Sequence, residues 1–170
     1  MNDWHAYYTR SRAEKAVNEK LRQQAIEVFL PLYTVVRKWS DRKKEVEEPL
    51  IRGYIFARPI DTKQHYSILN TFGIVRCLWY DGKPALIPDV QIEVLRNVMK
   101  ERMEVEPAPA VLIPGQKVVI LEGSLAGREG ELVQIAGRHR VVLRIDHIDQ
   151  ALLVTIHPKM VRPVNQSVTT

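Results

Sequence analysis

The sequence is poor in the residues that build most chemistry. A single cysteine, Cys77, stands in 170 residues, so no disulfide closes within the chain, and Cys and His do not cluster at zinc-site spacing. His5, His65, His139, His147 and His157 lack carboxylate and nucleophile companions, and no phosphate-binding glycine loop with Lys-Ser or Lys-Thr occurs. These absences argue against a hydrolase or a nucleotide-dependent enzyme, and neither cofactor nor metal is expected. Apolar runs are short as well. None approaches the roughly 20 residues that cross a bilayer, and MNDWHAYYTRSRAEK lacks the apolar core of a signal peptide. The expectation is a soluble, cytoplasmic, monomeric protein without membrane contact.

What is present is a core and an excess of positive charge. Hydrophobic residues make up 45% of the chain, enough for one domain or two small ones. The 25 Lys and Arg against 20 Asp and Glu give a net charge of +5, which favours acidic partners without requiring them. Residues 1–105 carry 18 basic and 14 acidic groups and residues 106–170 carry 7 and 6, so the excess sits mainly in the first part.

WHAYYT is short and aromatic, as a strand would be. Ser11 and Glu14 have capping-box spacing, and Ala13, Val17, Leu21 and Ala25 recur every four residues, which predicts an amphipathic helix over 11–25. VFLPLYTVVRKW and EVEEPLIRGYIFA read as strands joined by the polar tip SDRKK. Asp61 and Gln64 repeat the capping spacing before a second helix that stops near Gly73; GIVRCLWY is a fourth strand. Ile92, Leu95, Met99 and Met103 fall on one side of a third helix. The order βαββαβα predicts a ferredoxin-like α+β domain with helices against one face of its sheet and the other face open.

EEPLIRGYIFARP fits that picture, because both of its alternating faces are largely apolar and something must cover each. Tyr8, Ile51, Tyr54, Phe56, Ile92 and Leu95 are expected to line an apolar concavity on the open face, of a size that accepts exposed helices. Each of them serves equally well as an ordinary core residue. Downstream, prolines 107, 109 and 114 read as a linker over 106–114. KVVIL, ELVQI, RVVLRI and ALLVTI then predict a small SH3-like β-barrel over 115–165, followed by a flexible tail at 166–170. Val118-Val119 and Val141-Val142 favour a permanently β second domain.

GQKVVILEGSLAGREGEL, with Gly123, Gly127 and Gly130 where a strand must turn, resembles the KOW motif of transcription factors and some ribosomal proteins. Trp4, PLIRGYIFA, the proline-rich stretch and this segment occur in the order seen in the NusG family, and RKWSDRKKEVEEPLIRGYIF resembles its specialised RfaH and UpxY paralogues. Arg52 departs from the proline usual there. The resemblance implies an N-terminal (NGN) domain that binds the clamp helices of RNA polymerase through Tyr8, Ile51, Tyr54, Phe56, Ile92 and Leu95. It implies a gate-loop contact at His65, Tyr66 and Ser67, of which only His65 matches by identity. It also places upstream or non-template DNA near Arg10, Arg12, Thr71 and Phe72. Lys38, Arg42, Lys43 and Lys44 crowd the hairpin tip and suit phosphates, although hairpin tips are also charged simply to prevent edge aggregation. Trp39 at the hairpin's base reads as packing. Ile148 is the candidate contact from the KOW domain to a ribosomal protein or another elongation factor. The function implied is an operon-specific antiterminator, with a capsular polysaccharide cluster as the expected setting. An RNA-binding or ribosome-associated KOW protein is the alternative.

Overall fold

The computed structural model describes residues 2–38, 42–101, 103–109, 115–135 and 137–164, in two compact units, 1–93 and 94–170. In the first unit, β1 (Trp4–Thr9) leads to α1 (Glu14–Gln23), β2 (Glu27–Phe29), β3 (Leu32–Lys38), β4 (Lys43–Pro49), β5 (Tyr54–Arg58) and α2 (Thr62–Leu69). Then follow β6 (Ile74–Cys77), β7 (Trp79–Tyr80), β8 (Lys83–Pro84) and β9 (Leu86–Ile87); α3 (Asp89–Lys100) begins in this unit and ends in the next. The main sheet runs β2-β5-β1-β6, with β9 also paired to β1, and its pairs are antiparallel.

The period-two register sorts the side chains. Tyr7 lies opposite Ile55 and Cys77, and these three join Val17 and Leu21 of α1 and Ile68 of α2 in one buried cluster. On the other face Ala6 lies opposite Phe56, Tyr8 opposite Tyr54, and Phe29 opposite Phe56. This second face is not open as expected. Trp4, Ala6 and Phe56 are buried, as are Ile51, Ile92 and Leu95, so four of the six residues assigned to the concavity belong to the interior. Asp89, at the start of α3, reaches this side of the sheet: its carboxylate sits 3.3 Å from the Arg58 guanidinium, which also lies over the Trp4 ring at 5.7 Å.

Both predicted long strands are broken. Leu30-Pro31 separates β2 from β3, and a turn at residues 50–53 separates β4 from β5. The result is a two-stranded arm, β3-β4, outside the main sheet, with its base closed by Leu50 N–H donating to Pro31 O at 2.8 Å. The Arg52 side chain, where the family usually has proline, is exposed and pairs with Glu48 at 3.3 Å. The expected Ser11 cap is not made either. α1 starts at Glu14 behind Ala13, which contributes no side-chain bond, and Arg12 before it has φ 62; Ala25, expected as the last helical position, has φ 57. The Asp61 cap does form, accepting from Gln64 N–H at 2.7 Å, while the Gln64 side chain accepts from Ile60 N–H.

The second unit contains β10 (Val105–Pro109), β11 (Gln116–Ile120), β12 (Glu129–Ile135), β13 (Arg138–Arg144), β14 (Gln150–Thr155), a short 3-10 helix (Pro158–Met160) and β15 (Val161–Pro163). They form one sheet in the order β10-β14-β13-β12-β11-β15. Residues 106–109, expected within a linker, are therefore a paired strand; residues 110–114 and the expected tail, 166–170, lie outside the described residues. Gly123 and Gly127 take φ 81 and 79 in the turn after β11, around the buried Leu125. Gly130 has a different reason for being glycine: a Cβ there would lie 2.4 Å from Val141 Cγ1 and 2.7 Å from the Val142 carbonyl oxygen.

Candidate functional site

The exposed end of the second face carries a three-strand row. Tyr54 of β5, Tyr8 of β1 and Arg76 of β6 lie directly across from one another. The two tyrosine rings meet edge to face with centroids 5.4 Å apart, and the Arg76 guanidinium lies 5.9 Å from the Tyr8 ring centre. Tyr8 is 40% exposed and Tyr54 is half-buried. Such a row offers a contact surface rather than a pocket for a small molecule: rings for apolar contact, and a cation for a carboxylate beside them. Arg76 was not legible as a partner, because nothing in GIVRCLWY fixes which residue of β1 it faces.

His65, expected to make an external contact, is turned inward. Its Nδ1 lies within hydrogen-bond distance of the Tyr7 hydroxyl, at 2.8 Å, and its ring is 6.3 Å from that of His5. His5 is buried too, its Nδ1–H donating to Ala85 O at 3.0 Å. Burial raises the Tyr7 phenol above the ordinary tyrosine range, so it stays protonated, and pushes the Cys77 thiol up to about 12, far from a reactive thiolate. Burial also lowers both histidines below their ordinary range near 6.5, and His5 lowers His65 further. Both imidazoles are thus harder to protonate folded than unfolded. Their contribution to stability is complete above about pH 6.5 and is withdrawn as pH falls below it. The urea midpoint of the full chain is expected to drop between pH 7.5 and pH 5.5; an unchanged midpoint would contradict this. The rest of the expected contact remains outside: Tyr66 is exposed, and the exposed Ser67 donates to Gln24 Oε1 at 2.6 Å.

Among the residues assigned to nucleic acid, Arg10 and Phe72 come together. Phe72 is 72% exposed, with the Arg10 guanidinium 5.2 Å and the Lys20 ammonium 4.9 Å from its ring centre. Lys20 was missed, since the sequence does not tell which face of α1 meets the loop after α2. Thr71 does not join them. It is buried, donates to Ser67 O at 2.9 Å and accepts from Gln24 Nε2 at 3.3 Å, so its hydroxyl serves the loop. Arg12 is exposed. Lys38, Arg42, Lys43 and Lys44 are exposed at the end of the arm, where Lys38 lies opposite Lys43 and Arg37 opposite Lys44. Trp39 lies outside the described residues. In the second unit Ile148 is buried between β13 and β14, which corrects its assignment as a partner contact.

Among the described residues no group of His, Cys, Asp and Glu is placed to hold a metal ion, and no helix is long and apolar enough to cross a membrane. A family model described as transcription termination factor nusG matches residues 2–96. The transcription termination/antitermination protein NusG of Streptococcus pyogenes serotype M3 is 26% identical over 145 residues, covering 78% of this chain and 80% of that protein. The protein of the same name from Lactococcus lactis subsp. lactis is 25% identical over 167 residues, covering 90% and 88%. A solved structure described as domain interaction in Thermotoga maritima NusG superposes with a TM-score of 0.62 at 17% identity over 97% of this chain and 98% of that one, a likeness of fold. With more than half of its length matched by the family model, the chain belongs to the NusG family and is a transcription termination/antitermination factor, not an enzyme.

Proposed function

We propose that the chain is a specialised, RfaH- or UpxY-like NusG paralogue: an operon-specific antiterminator of the cytoplasm that binds the clamp helices of RNA polymerase and suppresses pausing and termination. In this reading the first unit is a ferredoxin-like NGN domain and the second an SH3-like KOW domain. The observation that carries it is the Tyr54–Tyr8–Arg76 row, an exposed ring packed on a half-buried one with an adjoining cation on a sheet, suited to a helical partner carrying apolar and acidic side chains. The mechanism is population shift, since the factor favours the closed, elongating polymerase only by binding it better. Tyr66 and Ser67 are the accessible part of the second polymerase contact.

DNA is the second partner in this reading. Phe72 offers a base a face to stack on, with Arg10 and Lys20 beside it for phosphates. The arm adds Lys38 directly opposite Lys43, an arrangement unfavourable in isolation and relieved by an anionic strand, while Arg37 opposite Lys44 is paired with Glu48. Replacing Phe72 with Ala is expected to weaken binding of a single-stranded oligonucleotide about fivefold, at the low end of a base-stacking contribution. Fluorescence anisotropy reads this directly.

The alternative places nucleic-acid affinity in the second unit. Arg138, Arg140 and Arg144 speak against it, because they are engaged by Glu104, Glu106 and Glu131. The KOW domain is assigned instead to a ribosomal protein or another elongation factor. The test is transcription by purified polymerase across an intrinsic terminator with and without the full chain. Read-through and co-purification with polymerase are expected; absence of binding at micromolar concentration would overturn the proposal.

A further inference from the structure

We propose that the buried carboxylate of Glu14 is a positioning residue for the tyrosine surface, holding the turn that delivers Tyr54 beside Tyr8. The inference rests on the reading of that surface as the polymerase contact. Glu14 stands at the first position of α1, is buried, and accepts the Gly53 N–H through Oε1 at 2.9 Å across 39 residues of sequence. On the other side of the same residue, Gly53 C=O accepts the Thr9 N–H at 2.8 Å. Gly53 is therefore fastened on both sides, by a side chain from α1 and by the backbone at the end of β1.

The position requires that fastening. Gly53 has φ +77, a conformation open to glycine at little cost, and it lies so close beneath Tyr8 that a Cβ would be 3.1 Å from the ring. Tyr54 follows immediately and pairs with Tyr8. Arg52 to Glu48, beside this turn, is an exposed ion pair that salt screens, and Lys15 of α1 donates to Glu47 O at 2.7 Å. The bond to Glu14 is more sheltered than that ion pair, because the Glu14 side chain is buried. A carboxylate is also well placed there, because the first turn of a helix favours negative charge. Ser11 lies outside the cap position, because Arg12 is left-handed and α1 begins only at Glu14, whose side chain is directed to Gly53.

Two conservative variants separate reach from charge. Glu14→Asp keeps the charge at the helix start and shortens the side chain by one methylene, whereas Glu14→Gln keeps the reach and an acceptor oxygen. In the full chain titrated against purified core polymerase, Glu14→Asp is expected to weaken binding about tenfold, within the range of coupling between residues in contact. Glu14→Gln is expected to stay within about twofold of the parent, because a neutral acceptor still makes the bond. Amide exchange supplies a readout independent of polymerase: Gly53 N–H should lose protection in the Asp variant while β1 and β5 keep theirs. The Asp change should also add little to Tyr54→Ala, because it acts through that residue. An Asp variant that binds like the parent, a Gln variant as weak as the Asp variant, or full additivity with Tyr54→Ala would overturn the inference. If Tyr54→Ala itself bound normally, the surface reading would fail and the role of Glu14 with it; if only the Glu14 variants bound normally, the surface would stand and the positioning role alone would fall.

Discussion

Replacing Phe56 with Ala is expected to lower the folding free energy of the first unit by about 3–5 kcal/mol, the usual loss when a buried aromatic is truncated. Phe56 is wholly buried on β5, directly opposite Ala6, with the ring of Phe29 6.3 Å away on the neighbouring strand. Truncation leaves a cavity that a sheet paired on both sides of β5 cannot collapse to fill. Domains of this size are stable by about 5–15 kcal/mol, so the variant would be marginal at 37 °C. Urea unfolding of the full chain, followed by signals from the first unit, checks this. A loss below about 1 kcal/mol would restore Phe56 to the exposed contact face on which sequence periodicity sets it.

Tyr54→Ala is expected to do the reverse, with little loss of stability and a large loss of binding. Tyr54 is half-buried, and its ring packs on Tyr8 at the exposed end of the same face. Truncating an aromatic anchor at the centre of an interface costs on the order of 2 kcal/mol, roughly a thirtyfold rise in Kd for polymerase. Tyr8→Ala should cost about as much. The double variant should fall short of the sum by about 0.5–1.5 kcal/mol, because each ring supports the other. Titration with core polymerase at fixed salt measures all three. Unchanged affinity in Tyr54→Ala would remove the proposed contact altogether.

The contrast between these neighbours marks how far the sequence could be read. Alternation put Tyr54 and Phe56 on one face, because side chains of a strand alternate whatever lies around them, and the strand register adds Tyr8 to it. It did not tell which end of that face is covered, since depth depends on elements distant in sequence, such as the start of α3 near Arg58. Local signals fared unevenly for a related reason. The Asp61 cap formed as its spacing implies, whereas Ser11 caps nothing because the chain turns left-handed at Arg12 and α1 begins only at Glu14. The resemblance implies an external contact for His65, yet its partner within the chain is Tyr7, 58 residues away. The breaks at Leu30-Pro31 and at residues 50–53 were likewise hidden inside apolar runs that read as continuous strands.

The prolines of β10 misled for another reason: lacking an N–H, proline is poor within a sheet but acceptable along its edge. The bond from Thr155 N–H to Glu104 O directs the polar backbone groups of even-numbered residues toward β14, and those of Pro107 and Pro109 away from it. The rim of the second sheet is therefore missing two of the donors that an incoming ribbon from another molecule would need. Crowded solutions of this protein should resist the stacking that leads to fibrils at that border, a protection written into covalent structure and indifferent to salt or acidity.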